Sequence, residues 1–174
     1  MAGLAETTLG DVVVWRYGLV ERAGGHPRVL VEAPGGFGKS TFARQLAASF
    51  EVATAVVAVD AAADADVLLG LVVEAVRRAG MTDTADALAP AGPALAPVAL
   101  HDALRRRAEA VCFLIDDVQR LDAEAVGLLL RLIGALPAGC RAIVSGRRLH
   151  VPGGRPPVRL RCSTIGPRGV QEPS

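Results

Sequence analysis

Two kinds of hydrophobic pattern alternate along the chain. Short runs of aliphatic and β-branched residues have the length and composition of buried strands. Between them, apolar residues recur at the spacing of amphipathic helices. The strand-like runs are RVLVEA from residue 28, VATAVVAVD at 52–60, VCFLI at 111–115, RAIVSGRR at 141–148 and, as a short fifth strand, PVRLRCS at 157–163.

Helix signals lie between these runs. The segment 121–137 predicts a helix that Asp122 caps and Pro137 ends. Two further helices are predicted at 41–50 and 98–110. After the second strand, residues 64–79 predict a helix whose apolar face holds Val67, Leu68, Leu71, Val72 and Val76.

Three segments fall outside this alternation. Residues 80–97 are rich in alanine and proline and have little periodicity, so we interpret them as a surface connection with at most a short helix. Residues 1–27 form a lead-in with signals for a strand at 12–15 and a helical turn at 19–23. Residues 166–174 are a tail, which leaves 28–165 as the core.

Strands that alternate with helices predict an α/β fold, a three-layer αβα sandwich whose mainly parallel sheet has about five strands. In such sheets, ligands bind at the carboxyl ends of the strands. The length of 174 residues favours a single domain. Because aromatic residues make up only 3% of the chain, we expect a core of small aliphatic side chains.

Composition narrows the function classes. The net charge of +1 gives no support to general nucleic-acid binding, and Lys39 is the only lysine in the chain. Cys112, Cys140 and Cys162 lack the spacing of a zinc site, so we expect reduced, buried thiols. The chain has neither the pattern of a signal peptide nor an apolar run long enough to span a membrane, which predicts a cytoplasmic protein.

The segment APGGFGKST at 33–41 fits the Walker A pattern, with alanine in place of its first glycine. Its glycines are expected to take positive φ and turn their N–H groups toward phosphate oxygens. Lys39 is expected to reach the β- and γ-phosphates, and Ser40 to ligate Mg²⁺. The alternative is a glycine-rich turn that is merely tight. The candidate nucleotide-binding residues are Pro34, Gly35, Gly36, Phe37, Gly38, Lys39, Ser40 and Thr41.

Two acids follow the third predicted strand, as in a Walker B segment. Asp116 is expected to orient the magnesium ligands, and Asp117 is the candidate base that activates water. Aspartate reaches less far than the more usual glutamate, so we expect slow hydrolysis. Alternatively, the two acids only cap the following helix.

Arginines supply the remaining candidates. Arg147 follows Ser145 and Gly146 at the tip of the fourth predicted strand, where it could sense the γ-phosphate. The alternative is a solvated surface arginine. The arginines at 105–107 are interpreted as a solvated face or as an oligomer contact. The aromatic residues near 15–17 either pack as an anchor or lie beside the base.

These motifs together predict the P-loop NTPase fold. ATP is favoured over GTP because guanine-specific P-loop proteins carry an N-K-x-D motif, and the only lysine already belongs to the phosphate loop.

The chain resembles the nucleotide-binding domain of STAND ATPases, in particular MalT-like regulators with LuxR-type DNA-binding tails. The resemblance covers about residues 25–150 and rests on VLVEAPGGFGKST, VVAVD, FLIDDVQRLD and LPAGCRAIVSGRR. It implies an ATP- and Mg²⁺-dependent switch in transcription regulation that self-associates when ATP is bound and resets on hydrolysis. The usual threonine-serine-arginine sensor reads Ser145, Gly146 and Arg147 here, and no lid or helix-turn-helix follows, so we expect inefficient turnover by this chain alone.

Three hypotheses follow. The leading one is an ATP-binding, slowly hydrolysing regulatory module with no direct DNA contact and no membrane association. The second is a small P-loop phosphotransferase in which residues 80–110 form a substrate lid. The third is a degenerate P-loop scaffold without turnover.

Overall fold

The structure, a computed structural model of the chain, describes residues 25–36, 38–107 and 109–147, the backbone of 158–161, and the single positions Val20 and Ala23. The described residues form a five-stranded sheet in the order β2-β3-β4-β1-β5, and every neighbouring pair is parallel. The strands are β1 (Arg28–Glu32), β2 (Ala53–Ala58), β3 (Val111–Asp116), β4 (Arg141–Gly146) and β5 (Val158–Arg161). The five predicted strands are therefore confirmed.

Helices cover the sheet. They are α1 (Lys39–Ala48), α2 (Ala65–Arg78), α3 (Thr82–Leu88), α4 (Gly92–Arg107) and α5 (Ala123–Ala135), with a 3₁₀ turn at Val118–Arg120. Asp64 and Asp122 cap α2 and α5 by accepting the backbone N–H groups of Val67 and Ala125. The predicted cap and end of α5 are thus confirmed, since the helix ends before Pro137.

Two apolar cores lie on opposite faces of the sheet because side chains alternate along each strand. On one face, Val31, Leu114 and Ile143 pack against Phe42 and Leu46 of α1. On the other face, residues such as Leu30, Phe113 and Val144 pack against the remaining helices. All six residues of β3 are buried, as expected for a central parallel strand.

The interpretation of residues 80–97 as a surface connection was wrong. They contain α3 and the first turns of α4, with Ala85, Leu88 and Ala96 buried. Alanine and leucine favour helix, and Pro93 lies in the first turn of α4, where a missing N–H costs no helical hydrogen bond. Only Pro97, one turn later, removes an interior bond. The two helices are held by packing on α2 and α5 rather than by a repeating sequence pattern.

The apolar face of α2 is also rotated from the prediction. Val67 is 48% exposed, whereas Leu69 and Val73 are buried with Leu68, Val72 and Val76. Because α2 contacts both the sheet and neighbouring helices, its buried stripe is wider than a one-sided pattern suggests.

Several other expectations have partial outcomes. Cys112 and Cys140 are free and buried, as predicted, and burial raises the pKa of the Cys112 thiol to about 12. Cys162 lies outside the described residues, as do the strand at 12–15 and the aromatic residues near it. In the described part of the chain, no helix is both long and apolar enough to cross a membrane.

Arg28 ties the start of β1 to the end of α5. Its guanidinium donates from Nε to the carbonyl of Ile133 at 3.2 Å, from Nη2 to Leu136 at 3.1 Å and from Nη1 to Cys140 at 2.7 Å. One planar group thus donates to a carbonyl in the last turn of α5 and to two carbonyls on the connection between α5 and β4. These hydrogen bonds hold the C-terminal end of α5 against β1, the strand that precedes the phosphate loop.

We expect the substitution Arg28→Met to lower the free energy of unfolding by about 2 kcal/mol, because it leaves these partly buried carbonyls without their charged donor. Urea unfolding followed by circular dichroism measures the change. The control Arg131→Met alters an exposed arginine on α5 and should shift stability by less than about 0.5 kcal/mol. Equal effects of the two substitutions would contradict the assigned contribution of Arg28.

Candidate active site

Three loops meet at the carboxyl edge of the sheet. The phosphate loop follows β1, Asp116 ends β3, and Arg147 follows β4. Because β4 lies between β1 and β3, these strand ends are neighbours. The sheet order therefore brings together residues that are more than a hundred positions apart in the chain.

The phosphate loop has the predicted backbone at two of its glycines. Gly36 has φ of 80° and Gly38 has φ of 68°, values that favour glycine. Gly38 is the N-cap of α1, and no acidic residue occupies the first turn of that helix. The positive end of the helix thus faces the loop without an acidic neighbour in its own first turn, as an anion-binding loop requires.

Gly35 does not have the predicted backbone conformation. It is not among the positive-φ glycines, so that prediction was wrong. A Cβ atom at Gly35 would lie 3.4 Å from Nη2 of Arg147. The guanidinium of Arg147 therefore lies beside the backbone of the phosphate loop.

The other candidates in the loop are placed as follows. Pro34 is exposed, and Ser40 and Thr41 are half-buried in the first turn of α1. Phe37 lies outside the described residues.

Lys39 is buried, with 8% of its surface exposed, although it carries a charge. Its Nζ lies 3.3 Å from Oδ1 of Asp117. A buried ammonium needs a charged or hydrogen-bonding partner, and this carboxylate supplies one. The predicted Walker A lysine and the predicted base are therefore in direct contact.

Asp116 is also buried, and its orientation is fixed by two donors. The backbone N–H of Asp117 donates to Oδ1 of Asp116 at 2.9 Å, and the hydroxyl of Ser145 donates to the same oxygen. Ser145 is fully buried on β4. Both donors use Oδ1, so these two hydrogen bonds fix the orientation of the Asp116 carboxylate without involving Oδ2.

Asp117 adopts a left-handed backbone conformation, with φ of 60°. Aspartate tolerates this conformation better than most residues, but it still indicates local strain of the kind that concentrates at functional sites. In the described part of the chain, its side chain does not cap the following 3₁₀ turn, whereas Asp122 caps α5. The alternative of two helix-capping acids is thus not supported for this pair.

The pKa of the Asp117 carboxyl lies below its ordinary value. The largest cause is a hydrogen bond from Nε2 of Gln119 at 2.9 Å. Partial burial opposes the shift, and the hydrogen bond and charge of Lys39, with the charge of Arg120, add to it. Asp117 is therefore an ionised carboxylate at neutral pH.

Arg147 reaches the site from the tip of β4. Its guanidinium lies beside Gly35, and its backbone N–H donates to Oε1 of Gln119 at 3.1 Å. The arginines at 105–107 are remote from this edge, in the last turn of α4, and Arg107 pairs with Glu109 at 2.8 Å.

Gln119 is the residue that sequence analysis missed. It contacts both Asp117 and Arg147, yet it lies two positions after the paired acids in a segment without periodicity. A polar residue in a turn is usually solvated, so only the placement of β4 identifies its second partner.

Ser40 and Asp116 offer two oxygen groups of the kind that Mg²⁺ prefers, but not a complete set of ligands. In the described residues, no group of three or more His, Cys, Asp or Glu side chains could hold a metal ion. Mg²⁺ commonly uses one or two protein oxygens together with water and phosphate oxygens. A hydroxyl and an oriented carboxylate fit that chemistry.

Comparison with solved structures supports the fold. The chain is similar to Cdc6p from Pyrobaculum aerophilum, with a TM-score of 0.57 and 15% identity over 83% of this chain and 42% of that one. It is also similar to a chain in the structure of Drosophila ORC bound to AT-rich DNA and Cdc6, with a TM-score of 0.52 and 11% identity over 76% of this chain and 44% of that one. It thus spans less than half the length of either.

These likenesses confirm the predicted α/β fold, the αβα sandwich of P-loop NTPases. No protein-family model and no curated protein matches the sequence. The finer resemblance to MalT-like STAND regulators stays a prediction.

The contact between Lys39 and Asp117 can be tested in solution without any ligand. Lys39→Met removes the ammonium, so the pKa of Asp117 should rise toward its ordinary value while the hydrogen bond from Gln119 keeps part of the shift. Carboxyl ¹³C titration by NMR measures this pKa, with Asp117→Asn to assign the signal.

The matched control is Arg44→Met, which removes a positive charge from the exposed side of the same helix. It should leave the pKa of Asp117 unchanged. An Asp117 carboxyl that titrates identically in the unaltered chain and in Lys39→Met would show that the two side chains are not paired.

Proposed function

We propose that this chain is an ATP-binding module that hydrolyses ATP slowly and acts as a regulatory switch. The observation that carries the proposal is the meeting of Lys39, Asp116, Asp117 and Arg147 at the carboxyl edge of one parallel sheet. A glycine-rich turn that was merely tight would not account for a buried lysine paired with an acid from another strand.

Each residue has a binding task in this proposal. The N–H groups of the phosphate loop and Lys39 hold the β- and γ-phosphates. Ser40 and Asp116 hold Mg²⁺, directly or through water, and the ion neutralises phosphate charge. Arg147, beside Gly35, contacts the γ-phosphate. Lys39 leaves Asp117 when the phosphates offer it a more highly charged partner.

Hydrolysis adds water to the γ-phosphorus and breaks its bond to the bridging oxygen, which leaves on ADP. Asp117 accepts the proton of the attacking water. Its pKa is lowered, so the carboxylate is ionised but is a weak base. Its short side chain is also held by Gln119. Both features favour slow turnover, which suits a switch better than a metabolic enzyme.

The regulatory part of the proposal rests on the resemblance to STAND proteins of the MalT-like type. In that setting the module works in the cytoplasm, associates with further copies when ATP is bound, and leaves DNA contact to other segments. The DNA in the Drosophila ORC structure belongs to that complex and is not part of this proposal.

The phosphotransferase alternative has less support. It needs residues 80–110 as a movable substrate lid, but α3 and α4 bury Leu88, Leu100 and Leu104 in the main core. A segment packed in this way is a poor candidate for a lid. The scaffold alternative stays open to the binding test below.

Thermal unfolding with and without nucleotide tests the proposal. Mg-ATP at about one hundred times its Kd should stabilise the native chain by about 2.7 kcal/mol. For a domain of this size, that raises Tm by about 5–10 °C. Mg-GTP should give a smaller shift.

Lys39→Ala should abolish most of the ATP shift, because one charge-assisted contact to phosphate is worth about 1.5–3 kcal/mol. The control Arg44→Ala, exposed on the same helix, should keep it. If neither nucleotide raises Tm in the unaltered chain, the switch is refuted and the scaffold remains.

A further inference from the structure

Gln119 makes two hydrogen bonds with one side-chain amide. Its Nε2 donates to Oδ1 of Asp117 at 2.9 Å, and its Oε1 accepts the backbone N–H of Arg147 at 3.1 Å. The carboxamide of glutamine presents a donor and an acceptor in one planar group. Gln119 therefore bridges the tip of β3 to the tip of β4.

The backbone holds this amide in place. The left-handed conformation of Asp117 turns the chain into the 3₁₀ turn, and Val118, which is 2% exposed, anchors the turn in the core. From the other side, the carbonyl of Arg120 accepts the N–H of Ala63 at 3.1 Å. The residues on either side of Gln119 are thus both fixed.

The two hydrogen bonds of Gln119 connect residues that lie next to two different parts of the phosphate loop. At one end, Lys39 of the phosphate loop pairs with Asp117, and at the other end the guanidinium of Arg147 lies beside Gly35 of the same loop. Gln119 is the link between these two ends. Arg147 is exposed, and among the described residues the hydrogen bond from its backbone N–H to Gln119 is the contact that ties it to the rest of the site.

We propose that Gln119 is a positioning residue that fixes Arg147 for contact with the γ-phosphate and couples it to the side chain that Lys39 releases on ATP binding. This rests on the proposed function. Gln119 matters for distinguishing a triphosphate from a diphosphate, and not for holding the phosphates that both share. Loss of Gln119 leaves the phosphate loop intact but frees Arg147.

The test compares Kd for Mg-ATP and Mg-ADP, by isothermal titration calorimetry, in the unaltered chain and in Gln119→Met. Methionine has similar length but cannot make either hydrogen bond. We expect the ATP preference to fall about fivefold, the effect of one ordinary hydrogen bond. Kd for ADP should change by less than about twofold. Arg147→Ala should lose the same preference.

The matched control is Arg120→Met, on the exposed neighbour in the same turn. It should keep the ATP preference. An unchanged preference in Gln119→Met, or equal weakening of ATP and ADP, would overturn the positioning role. So would an unaltered chain that binds ATP and ADP equally well. If the unaltered chain binds neither nucleotide, the proposed function fails, and this inference fails with it.

A second measurement tests the tether without nucleotide. Hydrogen exchange by NMR should show a protected Arg147 amide in the unaltered chain and in Arg120→Met, and faster exchange in Gln119→Met. An equal exchange rate in Gln119→Met would refute the hydrogen bond to Arg147, whatever the nucleotide results. Thermal unfolding of each variant confirms that the fold is retained.

Discussion

The burial of β3 is the constraint on which the site depends. This strand is hydrogen-bonded to β2 and β4 along its two edges, and apolar cores lie against both faces. A strand that is hydrogen-bonded along both edges and packed on both faces has its last residue at a fixed position. Asp116 therefore leaves the sheet at a fixed point, beside Ser145 of β4 and the loop that follows β1.

Electrostatics then determine the arrangement at this edge. Lys39 is buried against Asp117, which follows β3. Gln119 bonds both Asp117 and Arg147, and Arg147 lies beside the phosphate loop. The ion pair gives the buried ammonium of Lys39 a partner, without which its burial would be costly. In the proposed function, Lys39 exchanges this carboxylate for the greater negative charge of the phosphates. This exchange is the physical basis of the proposed switch.

The strands, their parallel alternation with helices and the candidate site residues other than Gln119 were predictable because each leaves a local signal. Gly36 and Gly38 stand where the loop needs positive φ, and Asp116 and Asp117 stand at the end of a hydrophobic strand. The helix predicted at 98–110 corresponds to most of α4, but α3 and the first turns of α4 were missed because Pro93 and Pro97 obscure their pattern, and tertiary packing stabilises them. Gln119 was missed because its second partner comes from a strand that follows it by more than twenty residues.

A crystal structure with Mg²⁺ and a non-hydrolysable ATP analogue tests the central claim most directly. The account predicts that Nζ of Lys39 lies within hydrogen-bond distance of a β- or γ-phosphate oxygen and no longer contacts Asp117. It also predicts Asp116 beside the ion and Arg147 on the γ-phosphate. An analogue bound away from the loop between β1 and α1, with Lys39 still paired to Asp117, would contradict it.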